Sequence, residues 1–194
     1  MNDREGSSRE LLTIFDEENE SESITIRSVN GDYFISTRKE ALLAESKARI
    51  VVSDSDRPPY PVLPELVLLL VEFGHAVVRD ASSGDLLQFQ DLVLPEDPKF
   101  EVRRFTARDF WRKGYFLASG SRFGGDLMAY MGSPNQLHSE FVILCSADPN
   151  VNVLSLISIA RCCNQVKKKL VLALLKNTHT PYYLSLSWLR PETH

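Results

Sequence analysis

Near its C-terminal end the chain carries Lys169-Leu-Val-Leu-Ala-Leu-Leu175, a stretch apolar at almost every position. A run this short and this continuous reads as a buried strand, since a half-exposed strand would alternate apolar with polar. It places a buried strand in the C-terminal half, which other elements must cover. Around it the sequence alternates strand-like runs with helical ones, so the expected class is α/β, of the α+β type with a mixed sheet.

The N-terminal part supplies a smaller unit. Ile24-Thr-Ile26 and Tyr33-Phe-Ile35 flank Asn30-Gly31, a strong hairpin signal. Thr37-Arg-Lys-Glu40 opens a capping box ahead of a helix to about Lys47. Ile50-Val-Val52 reads as a strand or a connector, and a proline-rich loop follows to Pro61. Pro64 suits the first position of a helix through Leu66, Leu69, Leu70 and Phe73 that stops at Gly74, and Ala76-Val-Val78 returns as a strand. The expected organisation is an acidic, disordered tail over 1–22, an N-terminal α/β domain over 23–80, a linker with some helix over 81–100 and a C-terminal domain over 101–194.

In that last domain Thr106 is expected to cap a short helix bearing Phe110 and Trp111. Strands are expected at Tyr115–Ala118, Asp126–Tyr130 and Glu140–Cys145. An amphipathic helix from Val153 to Arg161 turns Leu154, Ile157 and Cys162 inward. The chain closes with a strand from Tyr182 to Trp188, apolar on one face and a candidate open edge.

Charge is unevenly distributed. The net charge is −4, yet five carboxylates and no base lie between Asp16 and Glu22, whereas twelve basic residues face six acidic ones from Glu101 onward. The C-terminal half is therefore a basic domain, compatible with a phosphate-bearing partner. No apolar run approaches the roughly 20 residues of a membrane span. The N-terminus lacks a signal-peptide core, and three cysteines, Cys145, Cys162 and Cys163, form neither a disulfide framework nor a zinc spacing. Together these point to a reducing, intracellular setting.

The stretch with chemical content is Ser121-Arg-Phe-Gly-Gly-Asp-Leu-Met-Ala-Tyr-Met-Gly-Ser-Pro-Asn-Gln-Leu-His138. It sets a phenol and an imidazole eight residues apart across a Gly-Ser-Pro turn, and the cationic run Val166-Lys-Lys-Lys169 follows. Phenol, imidazole and ammonium suffice for acid–base chemistry at a phosphodiester without a metal. A phenol holds its proton to about pH 10 and is a base only when a cation lowers that value. An imidazole, titrating near 6.5, can protonate a leaving oxygen. Each residue type also has a structural role: tyrosine at a core edge, histidine and lysines at the surface. Gly124-Gly125 suits close backbone packing better than a phosphate loop.

The series Arg112-Lys-Gly114-Tyr-Phe116, Ser119-Gly-Ser-Arg-Phe-Gly-Gly-Asp126, Tyr130-Met-Gly-Ser-Pro134, His138 and Arg161-x4-Val166-Lys-Lys168 resembles the tRNA-splicing endonuclease family. The Arg-Phe-Gly-Gly-Asp form is most similar to the eukaryotic catalytic subunit that cuts the 3′ splice site. The resemblance implies a nuclease-like C-terminal domain with a Tyr130, His138 and Lys168 triad, Lys168 being the second residue after the valine. It implies metal-independent cleavage of intron-containing precursor tRNA to a 2′,3′-cyclic phosphate and a 5′-hydroxyl, with no cofactor and no metal ligands. Arg122, Arg161 and Lys167 are candidate RNA contacts.

The family also implies a heterotetramer with a second catalytic subunit and two structural subunits. Here the C-terminal strand would pair with the smaller structural one. Localisation follows as nuclear, or at the cytoplasmic face of mitochondria in some members. Met131, Ser133 and the Ser139-Glu-Phe141 flank depart from the family pattern without touching the triad. Three other readings remain open: a non-catalytic structural subunit, a metal-dependent nuclease using Asp126 and Glu140, and a tRNA-binding module without cleavage.

Overall fold

The computed structural model describes residues 23–52, 57–134, 136–176 and 179–187. The acidic N-terminal stretch and Trp188 lie outside the described residues. The class is α+β: two mixed sheets, one of five strands and one of six, with helices between and outside them.

The chain enters through β1 (Ile24–Val29) and β2 (Asp32–Ile35), joined at Asn30 and Gly31, whose φ values of 49° and 90° are those the two-residue turn needs. Helix α1 (Arg38–Ala48) is capped by the Thr37 hydroxyl, which accepts from the Glu40 N–H at 3.2 Å. The Glu40 carboxylate takes the Thr25 N–H at 3.1 Å, so the cap also fastens the helix to β1.

After β3 (Ile50–Val51) and β4 (Tyr60–Pro61), Pro64 opens α2 (Pro64–Glu72), buried from Glu65 through Leu70. A helix apolar on every side belongs at the centre of a protein. Strand β5 (Ala76–Asp80) then lies parallel to β1, and β6 (Leu86–Leu87) closes a first sheet of order β4-β2-β1-β5-β6.

The short helix expected to start at Thr106 is instead α3, Lys99–Arg112, and Thr106 is wholly buried inside it. The true start lies upstream because Asp97 accepts the Lys99 N–H through its carboxylate (2.9 Å) and the Phe100 N–H through its carbonyl (2.8 Å). Phe100 and Val102 then add apolar burial that the charged sequence obscures. Residues 81–100, expected as a linker, carry β6, a 3-10 turn at Phe89–Asp91, buried Leu92 and a Val93 carbonyl that accepts the Tyr33 hydroxyl at 2.8 Å.

The second sheet has the order β11-β10-β9-β8-β7-β3. Its members are β7 (Phe116–Ser119), β8 (Leu127–Tyr130), β9 (Phe141–Cys145), β10 (Lys169–Leu175) and β11 (Pro181–Leu186). At its outer edge β3, from the N-terminal part, runs parallel to β7 with Ile50 beside Leu117. One continuous core links both sheets through α2 and α3, from Ile26 and Leu68 to Phe110, Ile143 and Val171.

The other face of the second sheet carries α4 (Val153–Gln165), capped by the Asn152 side chain. Here the expected inward set is corrected: Leu154 is 75% exposed, and Cys163, not Cys162, is buried, against Val142 and Leu170. In β11 Tyr183 turns toward α3, while Tyr182 and Leu184 stay exposed. Among the described residues no helix is long and apolar enough to cross a membrane.

Candidate active site

The site grows from the β8–β9 hairpin. Before β8, Gly124 adopts the left-handed conformation (φ 76°), and Gly125 lies so close to β9 that an added Cβ would stand 2.5 Å from Val142 Cγ1 and 3.0 Å from the Ile143 carbonyl oxygen. The glycine pair thus has the close-packing role. It lets β8 run tight against β9, with all four residues Leu127–Tyr130 buried.

Tyr130 ends that strand at 9% exposure, packed with Val51, Ala118 and Met128 and flanked by Phe116 and Phe123. The register extends this position across the sheet. Ala129 pairs with Phe141, and Phe141 with Lys169. One step further out, Tyr130, Glu140 and Lys168 therefore align on three successive strands, and strand spacing puts the Tyr130 and Lys168 backbones roughly 10 Å apart. Tyr130 and Lys168 face away from α3, toward α4, because Phe141, next to both in register, packs on Phe110 of α3.

A Schellman ending fixes the way Lys168 leaves α4. The Lys168 N–H reaches the Cys163 carbonyl at 2.8 Å, the Lys167 N–H reaches that of Asn164 at 3.2 Å, and Lys167 takes the left-handed conformation (φ 57°) usually left to glycine. The Lys168 ammonium donates to the Ser139 hydroxyl at 2.5 Å and to the Ser139 carbonyl at 3.2 Å, and lies 5.2 Å from the Phe123 ring centroid. Burial holds its pKa below the ordinary lysine value, opposed in part by the neighbouring Cys163. Lys169 is oriented differently: it pairs with Glu140 at 2.8 Å, over Phe141.

His138 is exposed, one residue before buried Ser139. Since Ser139 holds the Lys168 amine and its hydroxyl also contacts Met128 Sδ at 3.7 Å, His138 enters at the same sheet end as Tyr130 and Lys168. Ser139 and Phe123 are the members that sequence reasoning missed. Ser139 stood only as a departure from a pattern, and Phe123 lay unremarked inside a motif.

Lys167 is exposed beside a depression of about 200 Å³ lined also by Asn164, Lys168, Lys169 and Ser187. Arg122 is exposed on a 3-10 turn (Ser121–Phe123), and Arg161 on α4. That turn packs on the helix: a Cβ at Gly124 would lie 3.4 Å from Ile159.

Asp126 and Glu140 do not form a pair. Asp126 sits at the opposite end of β8, about 13 Å away at strand rise, where it binds Lys99 at 3.3 Å and the Cys145 N–H at 2.7 Å. Glu140 is engaged by Lys169. Among the described residues no group of three or more histidine, cysteine or acidic side chains is placed to hold a metal ion.

Comparison with known proteins converges on the same stretch. Residues 100–183 match the family profile described as tRNA intron endonuclease, catalytic C-terminal domain. The chain is 31% identical over 124 residues to the mouse tRNA-splicing endonuclease subunit Sen34, covering 62% of this chain and 39% of that protein. It is 30% identical to human Sen34 over 124 residues, 62% of this chain and 40% of that protein. It is also 28% identical over 142 residues to a tRNA-splicing endonuclease of Saccharolobus solfataricus, covering 68% of this chain and 78% of the relative. The chain spans about two fifths of the length of the two mammalian relatives it matches. The chain is thus similar to tRNA-splicing endonucleases, Sen34 among them, and the stretch that matches the family profile runs from α3 into β11.

Proposed function

We propose that this relative of Sen34 is a catalytic subunit of a tRNA-splicing endonuclease, cutting intron-containing precursor tRNA at the 3′ splice site without a metal ion. The observation that supports the reading is the register across β8, β9 and β10, which sets Tyr130 and Lys168 at the same end of these strands, with His138 on the loop that joins β8 to β9.

In this mechanism Tyr130 removes the proton of a ribose 2′-hydroxyl, and the 2′-oxygen attacks the adjacent phosphorus. The Lys168 ammonium offsets the charge gathering on the non-bridging oxygens. His138 gives a proton to the departing 5′-oxygen, leaving a 2′,3′-cyclic phosphate and a 5′-hydroxyl. Proton transfers of this kind are each worth about 10² to 10⁴ in rate, and in-line placement of the RNA supplies much of the rest.

Lys167, Arg122 and Arg161 would contact RNA phosphates around this end of the sheet. Strand β11 is the outermost of its sheet and exposes Tyr182 and Leu184, which suits pairing with the smaller structural subunit of a heterotetramer completed by a second catalytic subunit. Such an assembly works in the nucleus, with the cytoplasmic face of mitochondria as the alternative site.

The test is cleavage of a precursor tRNA by the reconstituted complex in excess chelator, wild type against His138→Ala in this chain alone. Loss of the 3′ cut with the 5′ cut intact, and indifference of the wild type to chelator, support the reading. Persistence of both cuts makes the chain a structural subunit.

A further inference from the structure

The loop between Tyr130 and His138 has an anchor outside the sheet. Ser133 is its hub: its carbonyl accepts the N–H groups of Gln136 (2.9 Å) and Leu137 (3.0 Å), folding the chain back toward His138. Its hydroxyl donates to Glu45 Oε1 at 2.9 Å, across 88 positions of sequence. The space inside the turn is tight, since a Cβ on Gly132 would lie 2.9 Å from Leu137 Cδ1.

The far end of this contact is rigidly mounted. Glu45 lies in the last turn of α1, where its carbonyl accepts the Arg49 N–H at 3.0 Å. The Arg49 guanidinium lies 4.7 Å over the Trp111 ring and donates to the Trp111 carbonyl at 3.0 Å, while Trp111 Nε1 donates to the Ala48 carbonyl at 2.6 Å. The end of α1 is therefore clamped to α3, and Glu45 projects from that clamp to the loop. By contrast the loop itself holds exposed Met131, Leu137 and His138, with little burial of its own to fix its angle.

We infer that Glu45 is a positioning residue for the proposed reaction, setting the place of His138 through Ser133; the inference rests on the reading above. An imidazole that must meet a leaving oxygen loses rate steeply with displacement, about a hundredfold for 1 Å in sensitive cases. The effect falls on turnover rather than on RNA affinity, because neither Glu45 nor Ser133 is a cation and RNA binding rests on the basic groups.

The experiment compares Glu45→Ala, Glu45→Gln, Ser133→Ala and the double alanine variant in the full chain, assembled with its partner subunits on precursor tRNA. Glu45→Ala and Ser133→Ala should each lower kcat about tenfold with KM unchanged. Glu45→Gln, whose amide oxygen still accepts the hydroxyl, should stay within about twofold of wild type. The double variant should be no worse than either single one. Amide exchange at Gln136 and Leu137 in the isolated full chain should quicken in both alanine variants, a readout that does not depend on catalysis.

Wild-type kcat in the alanine variants, or equal loss in Glu45→Ala and Glu45→Gln, overturns the inference while leaving the functional reading intact. A wild-type complex that cuts nothing, or that keeps its 3′ cut with His138→Ala, overturns the reading; the tether itself then stands or falls on the exchange rates alone.

Discussion

The Lys168 ammonium lies 5.2 Å from the centre of the Phe123 ring, so the proposed electrostatic group of the site is covered on one side by an aromatic face. Burial lowers its pKa, and the neighbouring Cys163 opposes that shift. A lysine lowered in the folded state releases its proton before its unfolded counterpart does. Between the folded value and the ordinary 10.5 the unfolded chain binds more protons, so the stability linked to Lys168 rises with pH through that window. The charged form on which the proposed cleavage depends is lost over the same window. The rate is expected to fall on the alkaline side at a pH below that of an ordinary lysine, and Phe123→Ala, by admitting water, to move this limb upward. A pH–rate profile of the two forms decides the matter; coincident limbs would refute it.

Lys167 has a backbone role and a proposed RNA contact, which substitution can separate. Its left-handed backbone costs a non-glycine residue about 1 kcal/mol, so Lys167→Gly should keep or slightly raise stability. Loss of its cation should weaken RNA binding and reduce the salt slope by about 0.7 if it meets one phosphate of a single strand. Denaturant titration and RNA binding at several salt concentrations measure the two effects.

Gly125→Ala should destabilise the chain by about 1–3 kcal/mol, since the new methyl meets buried Val142 and a strand backbone at once. A shift of the urea midpoint at constant m checks it. The cost is paid in β8–β9 packing, so cleavage should suffer as well.

Arg103 holds buried Glu65 at 3.3 Å, while among the described residues the other Glu65 oxygen has no hydrogen-bond partner. Burial raises the Glu65 pKa, and the nearby Arg103 opposes that rise. Arg103→Ala should cost about 3 kcal/mol by stranding the carboxylate. With the folded pKa above the unfolded one, the folded state holds more protons in the window above 4.5, so stability falls as pH rises through it. The deficit of Arg103→Ala should shrink on acidification and in the Glu65→Gln background. Thermal melts of the three variants from pH 5 to pH 8 test this.

Features set by neighbouring residues were legible in the sequence. The Asn30-Gly31 turn, the Thr37 cap, Pro64 at a helix start and the apolar run of β10 all stand where local chemistry puts them. The N-terminus of α3 was hidden because its first turn is charged outside and apolar only at Phe100 and Val102. Leu154 was misplaced because helical periodicity marks an apolar face without saying which neighbour covers it. Within the site, the motif named the chemical groups but not what holds them. Ser139 meets Lys168 across 29 positions and Glu45 meets Ser133 across 88, and no local pattern encodes such pairs.

Strand β3 has a practical consequence for anyone dissecting the protein. Ile50 and Val51 are the outermost row of the sheet that carries the site, and both are buried there. A fragment cut between β6 and α3, to isolate the C-terminal half, would leave that row behind and bare the backbone of β7 to any other chain in solution. The halves are better regarded as one folding and expression unit, in which a short piece of the first closes the second against aggregation.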